Sequence, residues 1–298
     1  MVYVIARGRW QSVGAMFKRR VLRWLLAGRG VHAARAFAVI PGDVVSDEII
    51  VAGLYEESVL VPLFTTFLAS WSERFKGGLA VDVGANIGNH TVFFAKRFAR
   101  VISFEPNPIA LALLRCNVYL AGLKEEVEIV PVGLSDRNET LSFRNNVSGN
   151  LGGSGFESSG VVRGTSIECD VRRGDDIMSK QDSTWPVALI KLDIEGGELA
   201  ALRGLESVID RHMPVILFET HRTKGTGGAL ETFSYLRSKG YSEFFAVEEP
   251  ALAGKSGLGK LLRRAIHGER MEWVPVVTPQ DRFYQLIAAL PSAPHWQQ

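Results

Sequence analysis

The stretch VDVGANIGNH, residues 81–90, constrains the fold of this chain more than any other. An apolar run from Leu79 to Val83 carries an acid, Asp82, and breaks into two glycines, Gly84 and Gly88. The next segment, Asn89–Phe98, offers Val92, Phe93 and Phe94 as core residues. A strand, a glycine-rich turn and a helix are therefore expected, with Gly84 permitting the tight turn and Gly88 a close backbone approach by a ligand.

The rhythm continues downstream. Strands are expected at Arg100–Phe104, Val127–Leu134, Pro186–Ile194, Pro214–Glu219, Tyr241–Val247 and Arg282–Leu290. Helices are expected at Ile109–Leu120, Leu199–Arg211 and Leu230–Lys239. With the first strand this makes a sheet of seven strands. Alternation of this kind implies an α/β fold of Rossmann-like type, mostly parallel, with helices on both faces. Right-handed crossovers put the ligand crevice at the carboxyl ends of the strands. The division expected is an N-terminal helical lead-in at 1–78, one domain at 79–290 with an insertion at about 250–280, and a short tail at 291–298.

The loop does not suit a dinucleotide. A pyrophosphate fingerprint needs G-x-G-x-x-G, whereas here Asn86 stands two residues after Gly84. A carboxylate at the lip, Asp82, would repel a pyrophosphate. It suits a ligand with an ammonium group and a positive centre, and S-adenosylmethionine has both. Glu105 closes the second strand about 20 residues past the glycines, where an acid accepts from ribose hydroxyls. Asp136 closes the third and can accept from an adenine amino group. Each acid alone could be a cap or turn residue. Three in register with a glycine loop point to one nucleoside site, made of Asp82, Gly84, Asn86, Gly88, Glu105 and Asp136.

Further acids gather over the middle of the sheet. The fourth strand delivers Asp193 and Glu195 into a Gly196-Gly197 turn, and the fifth ends in Glu219-Thr220-His221. Methyl transfer to a hydroxyl requires in-line positioning and a base for the hydroxyl proton. Asp193, Glu195, Glu219 and His221 are the candidates, with His221 best matched to neutrality by its ordinary pKa. Asp193 and Glu195 are also hard oxygen ligands, but two carboxylates on one turn do not specify a metal, and none is expected. IKLDIEGGE lacks the Asn/Asp-Pro-Pro-aromatic pattern of enzymes acting on nucleobase amines, which favours an oxygen acceptor.

These motifs resemble a known family. VDVGANIGNHT, FEPNP, VPVGLSD, LIKLDIEGGEL and PVILFE, together with the lead-in from Ser46 to Glu56, are similar to FkbM-family methyltransferases dependent on S-adenosylmethionine. The resemblance runs from about residue 46 to 247. It implies a class I methyltransferase sheet and an O-methyltransferase acting on a hydroxyl of a sugar, glycolipid, polysaccharide or polyketide-like small molecule. It also implies cofactor positions at Asp82, Gly84, Asn86, Gly88, Glu105 and Asp136, and acceptor-side positions at Asp193, Glu195 and Glu219.

Composition narrows the alternatives. With 46% hydrophobic and 22% charged residues the chain reads as an ordinary globular protein. Two cysteines give no disulfide framework, so a cytoplasmic location is expected. No apolar run is long enough to span a bilayer, and arginines break the apolar stretches of the N-terminus, against a signal peptide. Residues 1–40 carry eight Lys and Arg and no Asp or Glu, and residues 10–26 show helical apolar spacing. That pattern fits a helix packed on the domain or one lying on an anionic membrane. Two separate basic clusters without a recognition motif speak against nucleic acid. The rival functions are a nicotinamide oxidoreductase and a non-catalytic, membrane-associated protein.

Overall fold

The computed structural model describes residues 36–40, 42–145, 155–156, 165–180, 184–194, 196–220, 228–248, 272–278 and 284–292. The basic segment 10–26, most of the 145–160 connection and most of the 250–280 insertion lie outside them.

Among the described residues the main sheet has eight strands. In chain order they are β1 (Leu79–Val83), β2 (Arg100–Phe104), β3 (Val127–Val130), β8 (Val187–Leu192), β9 (Val215–Thr220), β10 (Tyr241–Glu248), β11 (Glu272–Pro275) and β12 (Tyr284–Pro291). Their spatial order is β11-β10-β12-β9-β8-β1-β2-β3. The run from β3 to β9 is parallel, and β12 lies antiparallel between β9 and β10. The eighth strand, beyond the seven expected, is β11, contributed by the insertion and antiparallel to β10. Its Trp273 stacks on Phe67 at 4.8 Å, and Phe67 meets Phe245 at 4.9 Å. An aromatic edge thus recruits the strand.

Both faces of the sheet are covered. All five residues of β1 are buried, as a central parallel strand requires. Val81 and Val83 point to one core with Leu202, Ile209, Phe218 and Phe233. Ala80 points to the other, with Phe93, Phe94, Leu114 and Val118. Residues 59–75 of the lead-in contribute to this second core. Helices Glu57–Pro62 and Ser72–Lys76, with the turns between them, bury Val59, Leu60, Leu63, Phe64, Leu68, Trp71 and Phe75. Phe64 meets Phe75 and Phe93 at 5.4 Å and Phe94 at 5.8 Å. Each such burial stabilises by about 1.5–3 kcal/mol, so these helices are integral to the core.

Two expected elements are divided, each for a local reason. The third strand stops at Val130 because Pro131 cannot donate to the ladder. The chain then enters a second sheet, β4-β7-β5-β6, formed by Gly133–Ser135, Thr165–Arg173, Glu139–Asn145 and Gly155–Phe156. The helix expected at Leu199–Arg211 is two helices, Glu198–Gly204 and Glu206–His212. A side chain at Gly204 would overlap the Ser135 carbonyl, so the glycine lets the second sheet abut the helix.

Candidate functional site

The loop after β1 is held by its own hydrogen bonds. Gly84 N and Ala85 N both donate to Phe104 O at 3.0 Å, and Gly88 N donates to Ala85 O at 2.9 Å. Asn86 N donates to Glu105 Oε2 at 2.8 Å. All four of these amides are engaged, which leaves none of them free for a phosphate. Asn86 adopts φ 49°, a left-handed conformation that asparagine tolerates better than most residues.

Each glycine has an internal reason. Gly84 has φ 76°, and a Cβ there would overlap the Asp193 carbonyl oxygen. Gly88 has φ 93°, and its Cβ would stand 2.6 Å from Leu114 Cδ1. Packing against the helix Pro108–Leu120, rather than room for a ligand, is what Gly88 serves directly.

Asp82 lies beneath the loop rather than at its lip. It is fully buried, and its Oδ2 accepts from Thr91 Oγ1 at 2.6 Å. Its Oδ1 has no hydrogen bond among the described residues and sits 3.6 Å from Lys191 Nζ. The cause is register: Asp82 pairs with Lys191 across β1 and β8, so the two side chains share a face.

Glu105 follows β2 and is 6% exposed. Its Oε1 accepts from Asn107 N at 2.8 Å, while Oε2 takes Asn86 N. Burial pushes its pKa up to about 7, against the pull of those two amides and of Lys191. Each oxygen retains a lone pair for another donor. Asn86 Oδ1 is likewise buried without a hydrogen bond.

Asp136 departs from the expected arrangement. It follows β4 of the second sheet, not the third strand of the main one, because Pro131 ends that strand. Its carboxylate is one-third exposed and accepts from Arg137 Nε at 3.1 Å.

At the middle of the sheet, Asp193 Oδ2 accepts from Lys191 Nζ at 3.2 Å. Glu219, in β9, belongs to the same charged group and acts electrostatically on Lys191. Glu195 and His221 lie outside the described residues. The sequence reasoning missed two participants. One is Lys191, signalled only by its place two residues before Asp193 on the same strand face. The other is Tyr55, from the lead-in. Its backbone is clamped by Asn89, which donates Nδ2 to Tyr55 O at 3.1 Å and accepts Tyr55 N at 3.0 Å. Burial, then the charges of Glu56, Glu219 and Asp193, raise the Tyr55 phenol above its ordinary pKa, so it stays protonated. Glu56, at φ 58°, places Oε2 3.4 Å from His90 Nε2 and accepts from Gln285 Nε2 at 2.9 Å.

Fold and site together define an α/β protein whose glycine loop and acids Asp82, Glu105, Asp193 and Glu219 gather at the carboxyl ends of its parallel strands. The family model described as Methyltransferase FkbM domain matches residues 82–243, more than half of the chain. The chain therefore belongs to the FkbM-domain methyltransferases and is a methyltransferase. It is 26% identical over 228 residues to Methyltransferase 1 of Beauveria bassiana, covering 70% of this chain and 79% of that protein. It is 25% identical over 215 residues to the 31-O-demethyl-FK506 methyltransferase FkbM of Streptomyces tacrolimicus, covering 63% and 81%. The crystal structure of Methyltransferase FkbM from Methylobacillus flagellatus KT aligns with a TM-score of 0.43 at 19% identity, covering 72% of this chain and 44% of that one.

Proposed function

We propose that the protein is an S-adenosylmethionine-dependent O-methyltransferase for a hydroxyl of a sugar, glycolipid, polysaccharide or related small molecule. The observation that carries the cofactor is the loop itself. The amides of Gly84, Ala85, Asn86 and Gly88 are consumed internally, so none of these four is offered to a phosphate, while Glu105 offers carboxylate lone pairs to a ribose diol. The Asn86 Oδ1, buried without a hydrogen bond, fits a donor-rich, phosphate-free ligand. The same consumption of amides disfavours the nicotinamide alternative. For the acceptor, the support is chemical and comparative. Carboxylates at Asp193 and Glu219 accept from hydroxyls. A further relative, 28% identical over 142 residues and covering 47% of this chain and 54% of that protein, is the Hexuronic acid methyltransferase AglP of Haloferax volcanii.

When bound, the cofactor supplies an electrophilic methyl group. Asp82, Gly84, Asn86, Gly88 and Glu105 build or support its seat, and Asp136 remains a candidate for the adenine end. The acceptor oxygen forms its bond to the methyl carbon as the carbon–sulfur bond breaks. Its proton passes to a base among Asp193, Glu195, Glu219 and His221. Residues 57–76 are, on this proposal, part of the catalytic domain, because they share its core. Among the described residues no helix is long and apolar enough to cross a membrane. Contact with an anionic membrane through the basic N-terminal segment remains a separate proposal, tested by co-sedimentation with vesicles at low and high salt.

Calorimetric titration with S-adenosylhomocysteine and NADH in parallel tests the cofactor. Transfer of labelled methyl to methyl glycosides and hexuronates tests the acceptor. Binding of NADH without S-adenosylhomocysteine would overturn the proposal.

A further inference from the structure

Lys191 is a buried cation to which the mechanism above gives no role. It is 4% exposed, and its Nζ donates to Gly84 O at 3.3 Å and to Asp193 Oδ2 at 3.2 Å, with Asp82 Oδ1 at 3.6 Å. Burial alone would lower its pKa, but Asp193, Asp82 and Glu219 outweigh that and keep it charged. Glu105 feels it as well. One ammonium thus serves four acids and ties the cofactor loop to the acceptor-side strand.

Stability is an insufficient reason for this arrangement. Replacing a buried ion pair by well-packed apolar residues is often neutral or stabilising. What an apolar pair cannot reproduce is a fixed positive charge at the centre of a group of acids at the strand ends. Without it, the acids would convey their full attraction to any cationic ligand. The sulfonium donor is cationic at its reacting centre, whereas the thioether product is not.

We propose that Lys191 is a positioning residue that sets the charge of this acid group and thereby the relative affinity for methyl donor and product. This rests on the S-adenosylmethionine function proposed above. Removing the charge shifts the balance towards the donor. A unit charge acting across about 10 Å at an effective dielectric constant of about 20 corresponds to a factor of roughly ten.

The experiment is calorimetric titration of the full chain with S-adenosylmethionine and with S-adenosylhomocysteine, at fixed pH and salt. Wild type, Lys191→Met, Lys191→Gln and Lys191→Arg are compared. Glutamine can retain the hydrogen bond to Gly84 O, so loss of fold in the methionine variant leaves the test intact. The donor-to-product affinity ratio should rise roughly tenfold in the neutral variants and stay within about twofold of wild type in the arginine variant. A purely structural lysine would weaken both ligands alike. An unchanged ratio in the neutral variants, with both ligands still bound by wild type, would overturn the role of Lys191 alone. Failure of wild type to bind either ligand would instead overturn the function on which it rests.

Discussion

Glu105 makes the stability of this protein depend on pH in an unusual direction. Its carboxyl rises from an ordinary 4.5 to about 7 in the folded chain, chiefly through burial. Between those values the folded state holds the proton more tightly than the unfolded state. The stability contributed by protonated Glu105 is therefore greatest below the lower value and is lost as pH rises towards the upper one. Each tenfold change in proton affinity is worth about 1.4 kcal/mol, so the whole loss is roughly 3 kcal/mol, and the part falling between pH 5 and 8 is about 2.5 kcal/mol. Glu105→Gln removes the titration. Its amide still accepts from one of the Asn86 and Asn107 amides but opposes the other, a pH-independent cost of about 1–3 kcal/mol. Urea unfolding of both proteins across pH 5–8 should show the variant gaining about 2–3 kcal/mol on wild type as pH rises. Parallel stability curves would refute the reasoning. A ribose diol that donates to the ionised carboxylate adds a second signature: S-adenosylhomocysteine should bind wild type more tightly as pH rises through 7, and the variant with a flat profile.

Gly84→Ala forces a Cβ onto the Asp193 carbonyl at φ 76°, so it should destabilise by more than the ~1–2 kcal/mol of left-handed strain alone and abolish S-adenosylhomocysteine binding. Differential scanning and calorimetry check both. Asn117 is fully buried, accepting from Ala38 N and donating to Ala38 O at 3.0 Å and to Ile87 O at 2.7 Å. Asn117→Ala orphans these groups and should cost about 2–4 kcal/mol in urea unfolding. Phe233, fully buried against Phe218, Phe244 and Tyr284, should lose about 3–5 kcal/mol on truncation to alanine with cofactor affinity unchanged.

Seven strands of the main sheet, though not β11, were legible because their signals are local. β1 and β2 are found at their expected bounds, since an apolar run and a glycine turn need only neighbouring residues. The second sheet was not legible. β5 and β7 pair across residues 139–145 and 165–173, and no local pattern announces a partner beyond an intervening Gly- and Ser-rich connection. Pro131 was the available clue, because a proline within Val127–Leu134 argues against one continuous inner strand. The helix break at Gly204 was hidden for the same reason, as its cause is the Ser135 carbonyl almost 70 residues upstream.

The site divides along the same line. The loop acids could be listed from spacing, but what each contacts depends on register between strands. Asp82 reads as a lip residue because the chain turns two positions later. In the sheet it stands opposite Lys191, and an ammonium buried beside it draws the carboxylate beneath the loop. The same alternation sends Asp193 to the same face as Lys191, so one register fixes an acid, a cation and an acid at the ends of two strands. Gly84 completes the set, since only a residue without Cβ lets the loop pass over the end of β8 and offer its carbonyl to Lys191. A glycine placed as if to admit a ligand thus makes room for the neighbouring strand, and its carbonyl accepts from the ammonium that strand carries.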